Sequence, residues 1–195
     1  MPLAQPLISR LTALRERLAA HRPRLAVGED VVWAAVAVVL VPGPDAVLLI
    51  RRAEHAGDPW SGHMALPGGR SEPGDPDLLA TAIRETAEEV GLALRPEHLI
   101  GTLDDVAPRT PVLPPIAVRP FIFSLPDPPA LRPNPEVASV RWVYLDHLLH
   151  PETYHSARLE IRRESREFPA YRLDDGVVWG MTERILSNLL ALLRY

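Results

Sequence analysis

Residues 67–92 of the chain read PGGRSEPGDPDLLATAIRETAEEVGL. The apolar residues in the second half of this stretch recur at helical spacing and predict an amphipathic helix over residues 76–90. Asp75 suits the capping position, Pro76 the first helical position, and Gly91 the position just after the helix ends. The side chains that fall on one narrow arc of this helix, and that we expect to face the core, are Leu79, Ile83, Thr86, Ala87 and Val90.

Three carboxylates crowd the other side of the predicted helix, because Glu85, Glu88 and Glu89 are related as i, i+3 and i+4. Like charges at this spacing destabilise a helix and raise one another's pKa unless a cation neutralises them. The neighbouring Arg84 cannot balance three anions. Oxygen ligands with no His or Cys nearby select Mg²⁺ or Mn²⁺, so the pattern predicts a divalent metal site. The alternative interpretation is an ordinary solvated helix face.

A glycine- and proline-rich segment, residues 54–74, leads into the helix and predicts a long loop. Loops of this length inside a compact domain are usually functional. The pair Gly68 and Gly69 lets backbone N–H groups approach an anion closely, and a helix N-terminus adds a favourable dipole. The loop and the carboxylates together predict a phosphate cradle beside a metal site, which is what hydrolysis of a pyrophosphate needs.

The same residues resemble the Nudix box, the signature of the Nudix hydrolase family. That box has a glycine, five residues, a glutamate, seven residues, and then Arg-Glu-x-x-Glu-Glu-x-Gly followed by an apolar residue. Gly69 matches the first glycine, and residues 84–92 match the end of the box. The segment between them is one residue longer here, and Asp75, or alternatively Glu72, stands in place of the first glutamate.

The longer segment with an aspartate resembles the coenzyme A pyrophosphatase branch of that family, which carries His-x-Gly-Gln-x-x-Phe-Pro-Gly-Gly before the box. Residues 60–69 read WSGHMALPGG. One glycine and the Pro-Gly-Gly end therefore match, whereas Trp60 and His63 stand where His and Gln are expected. Residues 116–121 and 178–182 resemble further segments of the same branch.

The resemblance implies a Nudix fold and Mg²⁺- or Mn²⁺-dependent hydrolysis of a nucleoside diphosphate linked to another group. It implies that Glu85, Glu88 and Glu89 hold the metal and carry the catalysis, and that Arg84 orients them. One of these glutamates, or a glutamate elsewhere in the fold, would act as the general base.

Further residues are candidates for contacting the substrate. Gly68, Gly69 and Arg70 lie where the phosphates are expected, and His63 lies in the loop before them. A lone loop histidine is usually a polar surface group, which is the alternative interpretation of His63. Trp60 is equally well explained as a stacking platform for a base or as an anchor for the loop. Arginine makes bidentate phosphate contacts. Besides Arg70, which is the best placed, the arginines considered for this role are Arg51, Arg52 and Arg109.

The composition indicates one soluble domain without a nucleic-acid or membrane partner, and the small-molecule substrate is what the family resemblance implies. The chain has 195 residues, 47% of them hydrophobic, and a net charge of −4 from 21 basic and 25 acidic residues. Scattered charge with an acidic balance argues against a nucleic acid or an anionic membrane as the main partner. The absence of cysteine excludes a disulfide scaffold and a cysteine nucleophile. The apolar run 31–41 is too short to span a bilayer, so we expect a cytoplasmic protein.

The remaining patterns predict an α/β protein, a Nudix-type α/β/α sandwich with a mixed β-sheet. Helical spacing predicts an N-terminal helix ending near Ala20 and a closing helix over residues 181–193. The segments expected to form strands are residues 31–41, 46–52, 98–106, 116–125, 137–145, 154–163 and 168–173. We expect an N-terminal helical extension, residues 1–25, and a hydrolase domain, residues 26–195. The extension is a candidate interface for a homodimer or a candidate lid.

The function favoured by the sequence is pyrophosphate hydrolysis, with coenzyme A or acyl-coenzyme A as the first substrate hypothesis. ADP-ribose, dinucleoside polyphosphates and nucleoside triphosphates would use the same helix, because the box acts on the phosphate bridge and not on the groups attached to it. A non-catalytic nucleotide-binding module on the same fold is the alternative of another class. The three carboxylates argue against that alternative.

Overall fold

A computed structural model of the chain describes residues 7–26, 31–55, 61–108, 115–161 and 164–194. Trp60 and Arg109 lie outside these described residues. The elements in chain order are α1 (Leu7–Ala20), β1 (Val32–Val41), β2 (Ala46–Arg52), β3 (Met64–Ala65), β4 (Gly68–Arg70), α2 (Leu78–Val90), a 3-10 helix (Pro96–His98), β5 (Leu99–Thr102), β6 (Ile116–Ser124), β7 (Val137–Tyr144), α3 (Leu145–Leu149), a second 3-10 helix (Pro151–Thr153), β8 (Tyr154–Ile161), β9 (Glu164–Leu173), β10 (Gly176–Trp179) and α4 (Gly180–Leu193). In the described part of the chain, no helix combines the length and the apolar character needed to cross a membrane.

The larger sheet is mixed and is built around β1. This strand pairs with β6 in parallel, from Val32↔Ile116 to Leu40↔Ser124. It pairs with β2 and β4 in antiparallel. β7 and β3 pair with β2, and β5 pairs with β6. β8, β9 and β10 form a smaller antiparallel sheet. The predicted α/β class with a mixed sheet is therefore confirmed.

Apolar cores cover both faces of the larger sheet. Ala37 and Val39 of β1 pack with α2, whereas Val38 and Leu40 pack with α1, α4 and the smaller sheet. Because both faces are covered, β1 is a continuous apolar run rather than an alternating one. The result is a sandwich with α2 on one face of the sheet and α1 and α4 on the other.

The N-terminal helix is confirmed as α1, and it packs onto the rest of the chain. Its Leu14 and Leu18 are buried in the same core as α4. Arg10 also forms an ion pair with Asp146 at 2.6 Å. The division into residues 1–25 and 26–195 stays a prediction, as does a homodimer.

The start of α2 differs from the prediction. The helix begins at Leu78, and its capping residue is Asp77, whose carboxylate accepts a hydrogen bond from the N–H of Ala80 at 2.8 Å. Capping by Asp75 is therefore wrong, because the carboxylate of Asp75 is engaged by other groups of the site. The predicted end is confirmed: Gly91 has a left-handed φ of 67° and donates its N–H to Ala87.

The buried face of α2 is rotated from the predicted arc. Thr86 and Val90 are buried as expected, but Ala87 is exposed. The buried set also includes Ala82 and Glu89, which the arc left out. The rotation has a chemical cause: the N–H of Gly68 on the sheet donates a hydrogen bond to Glu89, which holds this glutamate against the sheet.

Several other boundaries also differ. The predicted loop 54–74 contains the two short strands β3 and β4. The strand predicted over residues 98–106 ends as β5 at Thr102. Beyond it the chain stays beside β6 through the N–H of Leu103, which bonds to Pro120, and an isolated bridge between Val106 and Val118. The β8-β9 hairpin is confirmed, whereas β10 and the short helix α3 were not predicted.

Candidate active site

The glycine pair sits where the central sheet divides. β1 and β2 pair with each other at Leu40↔Val47 and Val41↔Ala46. Further along, β1 pairs instead with β4 and β2 pairs with β3. The chain from β3 to β4 is thus inserted between β1 and β2. The N–H of Ala37 bonds to the carbonyl of Pro67 at the tip of this insertion.

Neighbouring atoms come so close to Gly68 and Gly69 that neither position has room for a side chain. Gly68 has a φ of 148°, and a Cβ there would overlap the backbone of Ala35. A Cβ on Gly69 would overlap the carboxylate of Glu85. The missing side chains therefore let β4 fit beside β1 and let α2 bring a carboxylate directly onto the strand.

Two of the three helix carboxylates lie against this strand. Glu89 is only 5% exposed, and its Oε2 accepts the N–H of Gly68 at 2.9 Å. Burial raises the pKa of Glu89 to about 7; the Gly68 hydrogen bond opposes the rise and repulsion from Glu85 adds to it. Burial also raises the pKa of Glu85, against the attraction of Arg84. Glu88 is more open, with 55% of its side chain exposed.

Arg84 links the helix to the loop before it. Its Nε and Nη2 bond to the two carboxylate oxygens of Asp75, both at 2.9 Å. Its Nη1 lies 3.1 Å from Glu85 and 3.1 Å from Glu88, and its Nη2 also bonds to the carbonyl of Arg70. One guanidinium therefore fixes the loop, the strand and two of the carboxylates.

Asp75 is the anchor of that guanidinium. Besides Arg84, its Oδ2 accepts the N–H of Glu72 at 3.0 Å and the hydroxyl of Thr81 at 2.9 Å. The hydrogen bonds from Arg84 and from the Glu72 backbone hold the pKa of Asp75 well below its usual range. The sequence placed Asp75 at the helix cap, but its contacts give it this different structural role.

Asp75→Asn is expected to destabilise the protein by about 1–3 kcal/mol at pH 7, because it removes a charge-assisted bidentate partner. The folded pKa of Asp75 is lowered, so its contribution is fully present above the unfolded value of about 3.9 and is lost as the pH falls below it. Urea unfolding at pH 7, 4 and 3 measures the difference from wild type, which should shrink with acid. Asp127→Asn, at an exposed loop position, is the control. A difference that does not change with pH would contradict the assignment.

Comparison with known proteins agrees with this geometry. A family model described as the NUDIX domain matches residues 32–164. The chain belongs to the Nudix family. A relative from Yersinia pestis (strain Pestoides F), named an uncharacterized Nudix hydrolase NudL, is 31% identical over 160 residues, which cover 80% of this chain and 77% of the relative. The prediction of a Nudix hydrolase is confirmed at the level of the family and of the enzyme class.

Two other similarities have a narrower meaning. An uncharacterized protein of Schizosaccharomyces pombe is 45% identical over 111 residues, a match that covers 54% of this chain but only 34% of that protein's length. The crystal structure of a MutT/nudix family protein from Enterococcus faecalis superposes with a TM-score of 0.57 at 18% identity, covering 95% of this chain and 73% of that one. This structural likeness shows the Nudix fold alone.

The Nudix carboxylates suit a divalent cation by their chemistry. As the side chains stand, the described part of the chain gathers no group of three His, Asp or Glu residues that could hold a metal ion. Arg84 lies between Glu85 and Glu88 instead. The donor set is nevertheless all carboxylate, and Glu85 and Glu89 are held against a glycine strand at raised pKa, where a nearby cation would favour their charged forms. A metal site at Glu85, Glu88 and Glu89 therefore stays a prediction.

Only some of the residues predicted to contact the substrate lie at the Nudix carboxylates. Gly68 and Gly69 lie at the carboxylates. Arg70 pairs with Ala34, whose side chain belongs to the core on the other face, so strand alternation directs Arg70 away from Glu85. The ring of His63 meets Trp179 edge-on with centroids 5.1 Å apart. Contact of Arg70 or His63 with substrate stays a prediction that this geometry does not favour.

Two contacts of the site were missed from the sequence. Asp75 holds Arg84, and the loop before β7 contacts the end of the Nudix helix through the N–H of Asn134, which bonds to the carbonyl of Glu89 at 2.9 Å. A carboxylate nine residues before an arginine carries no helical signal. The second contact depends on which elements are neighbours in the fold, which a single sequence does not reveal.

Proposed function

We propose that the chain is a Mg²⁺- or Mn²⁺-dependent Nudix hydrolase that cleaves the pyrophosphate bond of a nucleoside diphosphate derivative. The observation that carries the proposal is the placement of Glu85 and Glu89 directly on the glycine strand, with the N–H of Gly68 held by Glu89. A bound divalent ion would neutralise the phosphate bridge and lower the pKa of an attacking water.

The residues of the chain provide positioning. Gly68 fixes the orientation of Glu89, and Arg84 holds Glu85 and Glu88 on the same side of the helix. Glu89, held by the N–H of Gly68, would need little reorganisation to accept a cation, whereas Glu85 and Glu88 would exchange their contacts with Arg84 for the ion. One of the three glutamates, or a glutamate elsewhere in the fold, acts as general base.

Coenzyme A or an acyl-coenzyme A is the first substrate we propose. The support is the resemblance of residues 60–69, 116–121 and 178–182 to the coenzyme A pyrophosphatase branch, together with the longer box. ADP-ribose, dinucleoside polyphosphates and nucleoside triphosphates are the alternatives. The box acts on the phosphate bridge in each of them, so residues outside the box must determine which attached groups the site accepts.

A non-catalytic nucleotide-binding module is the candidate of another class. The observation on its side is that Arg84 engages Glu85 and Glu88 in place of a cation. This arrangement would suit a site that binds a nucleotide without cutting it. Titration with Mn²⁺ in the presence of a nucleotide separates the two functions, because the module would show binding without turnover.

A substrate panel tests the proposal. Coenzyme A, acetyl-coenzyme A, ADP-ribose, NADH, diadenosine polyphosphates and nucleoside triphosphates are incubated with the protein and Mg²⁺ or Mn²⁺, and the products are separated by chromatography. We expect one class to be cleaved at the pyrophosphate bridge, with coenzyme A compounds preferred, and no cleavage in the presence of EDTA. Binding without cleavage of any compound would overturn the enzyme assignment.

A further inference from the structure

The division of the central sheet places the end of β2 across the inserted β3-β4 segment from the Nudix carboxylates. Glu85 and Glu89 lie on the β4 side of the inserted segment, against Gly69 and Gly68. The other side is formed by the end of β2, where the N–H of Arg52 bonds to the carbonyl of His63 at 3.0 Å. The last residue of β2 is therefore across the insertion from the carboxylates.

Arg52 belongs to the face of the sheet that α2 covers. On β2, Leu48 and Ile50 pack into the core beneath α2, whereas Leu49 packs into the opposite core. Arg52 pairs with Val137, which is also part of the core beneath α2. The register of β2 and β7 shifts between Arg51 and Arg52. Irregularities of this kind re-aim side chains and are frequent beside active sites.

The loop before β7 lies beside this end of β2, because the carbonyl of Glu136 accepts the N–H of Ala53 at 2.8 Å.

The other arginines near the box hold the loop or lie on the opposite face of the sheet. Arg84 is bound bidentately by Asp75. Arg51 donates from Nε to the carbonyl of Gly62 at 3.2 Å, and its strand partner Met64 lies in the core on the opposite face. Arg70 is directed to that opposite face as well. Among these arginines, Arg52 is the one that shares the face of the sheet with Glu85 and Glu89.

We propose that Arg52 binds a phosphate of the substrate's pyrophosphate group, opposite the carboxylates Glu85 and Glu89. This inference rests on the proposed function. A pyrophosphate lying over the β3-β4 segment would meet the carboxylates and their metal ion on one side and a guanidinium on the other, and a guanidinium matches phosphate oxygens bidentately. Arg52 is a substrate-binding residue in this assignment, whereas Arg84 is a positioning residue.

Calorimetric binding of inorganic pyrophosphate in the presence of Mg²⁺ tests the inference. The proteins are the full chain, Arg52→Met, Arg52→Lys and, as the matched control from the opposite face, Arg51→Met. We expect Arg52→Met to weaken pyrophosphate binding about tenfold to a hundredfold, as for loss of one charged hydrogen-bonding group. Arg52→Lys should restore part of the affinity, and Arg51→Met should bind as wild type does. Circular dichroism and thermal unfolding confirm that each variant is folded.

Binding of Mn²⁺ alone separates substrate binding from a structural role. If Arg52 binds phosphate, Arg52→Met retains or increases the affinity for Mn²⁺, because a cation has left the neighbourhood of the metal ligands. A loss of Mn²⁺ affinity, an unchanged pyrophosphate affinity in Arg52→Met, or no pyrophosphate binding by the wild type would each overturn the inference. Arg52-dependent pyrophosphate binding without turnover of any panel compound would instead overturn the proposed catalysis and leave the role of Arg52 standing.

Discussion

Glu89→Gln is expected to lower kcat about 100- to 1000-fold and to leave the protein folded. Glu89 is the most buried of the three carboxylates and the one tied to the glycine strand. Glutamine keeps the size of the side chain and an oxygen that accepts the N–H of Gly68, but it removes the charge that a divalent ion needs. The loss of a metal ligand's charge is worth several kcal/mol in the transition state, which corresponds to this reduction in rate.

The stability of this variant separates catalysis from folding. Burial of the Glu89 carboxylate raises its pKa to about 7, because the charged form is desolvated and this desolvation lowers the stability of the folded protein. A neutral amide at the same position should leave the free energy of unfolding unchanged or increased. Urea unfolding of metal-free protein and steady-state kinetics with Mg²⁺ provide the two measurements. Glu167→Gln is the control, because Glu167 pairs with Arg158 on the exposed surface. A Glu89→Gln enzyme with wild-type kcat would rule out Glu89 as a metal ligand.

The Nudix helix could be predicted from the sequence because local signals agree there. The apolar spacing, the crowded glutamates and Gly91 all mark the same segment, and the structure places the helix within two residues of the expected start. The identity of the cap could not be predicted, since Asp75 and Asp77 are equivalent by local rules. The choice depends on Arg84, nine residues after Asp75, whose guanidinium binds one of the two aspartates.

The position of Glu89 shows a different limit. A helical wheel assigns glutamate to the solvent face by residue type, and it has no information about a donor on a neighbouring strand. The hydrogen bond from the N–H of Gly68 offsets part of the free energy that burial of this carboxylate costs. Pairing of β4 with β1 is what brings that N–H to the helix. Tertiary pairing of a glycine-rich segment therefore decides which face of the helix is buried.

The arginines at the site illustrate the same point for strands. Proximity to Gly69 in sequence favours Arg70 as the phosphate contact, but a strand sends adjacent residues to opposite faces. β4 spans only Gly68–Arg70. Because the sequence around it is rich in glycine and proline, it does not show which residues face which side of the sheet. Arg52 is seventeen positions before Gly69, and only the arrangement of β2, β3 and β4 brings it to the same face.

Gly69→Ala is expected to lower kcat/KM about tenfold to a hundredfold and to destabilise the protein by about 1–3 kcal/mol. A methyl group at this position would overlap the carboxylate of Glu85, so either Glu85 leaves the strand or α2 moves outward. Overpacking of this kind costs 1–3 kcal/mol. A displacement of a catalytic group by about 1 Å can reduce the rate a hundredfold. Kinetics and urea unfolding measure both effects.

The double variant Gly69→Ala/Glu85→Ala identifies the cause. If the overlap with Glu85 is what destabilises Gly69→Ala, the glycine substitution should cost little stability once the Glu85 carboxylate is gone, and the two changes should be strongly non-additive. Gly74→Ala is the matched control, because a Cβ at Gly74 meets no atom within 4 Å. Additive effects, or a Gly69→Ala protein as active and as stable as Gly74→Ala, would show that Glu85 does not require the bare strand. Non-additivity would establish that the glycine of the box is there to let α2 place its carboxylate on the sheet, where the phosphate bridge is to be bound.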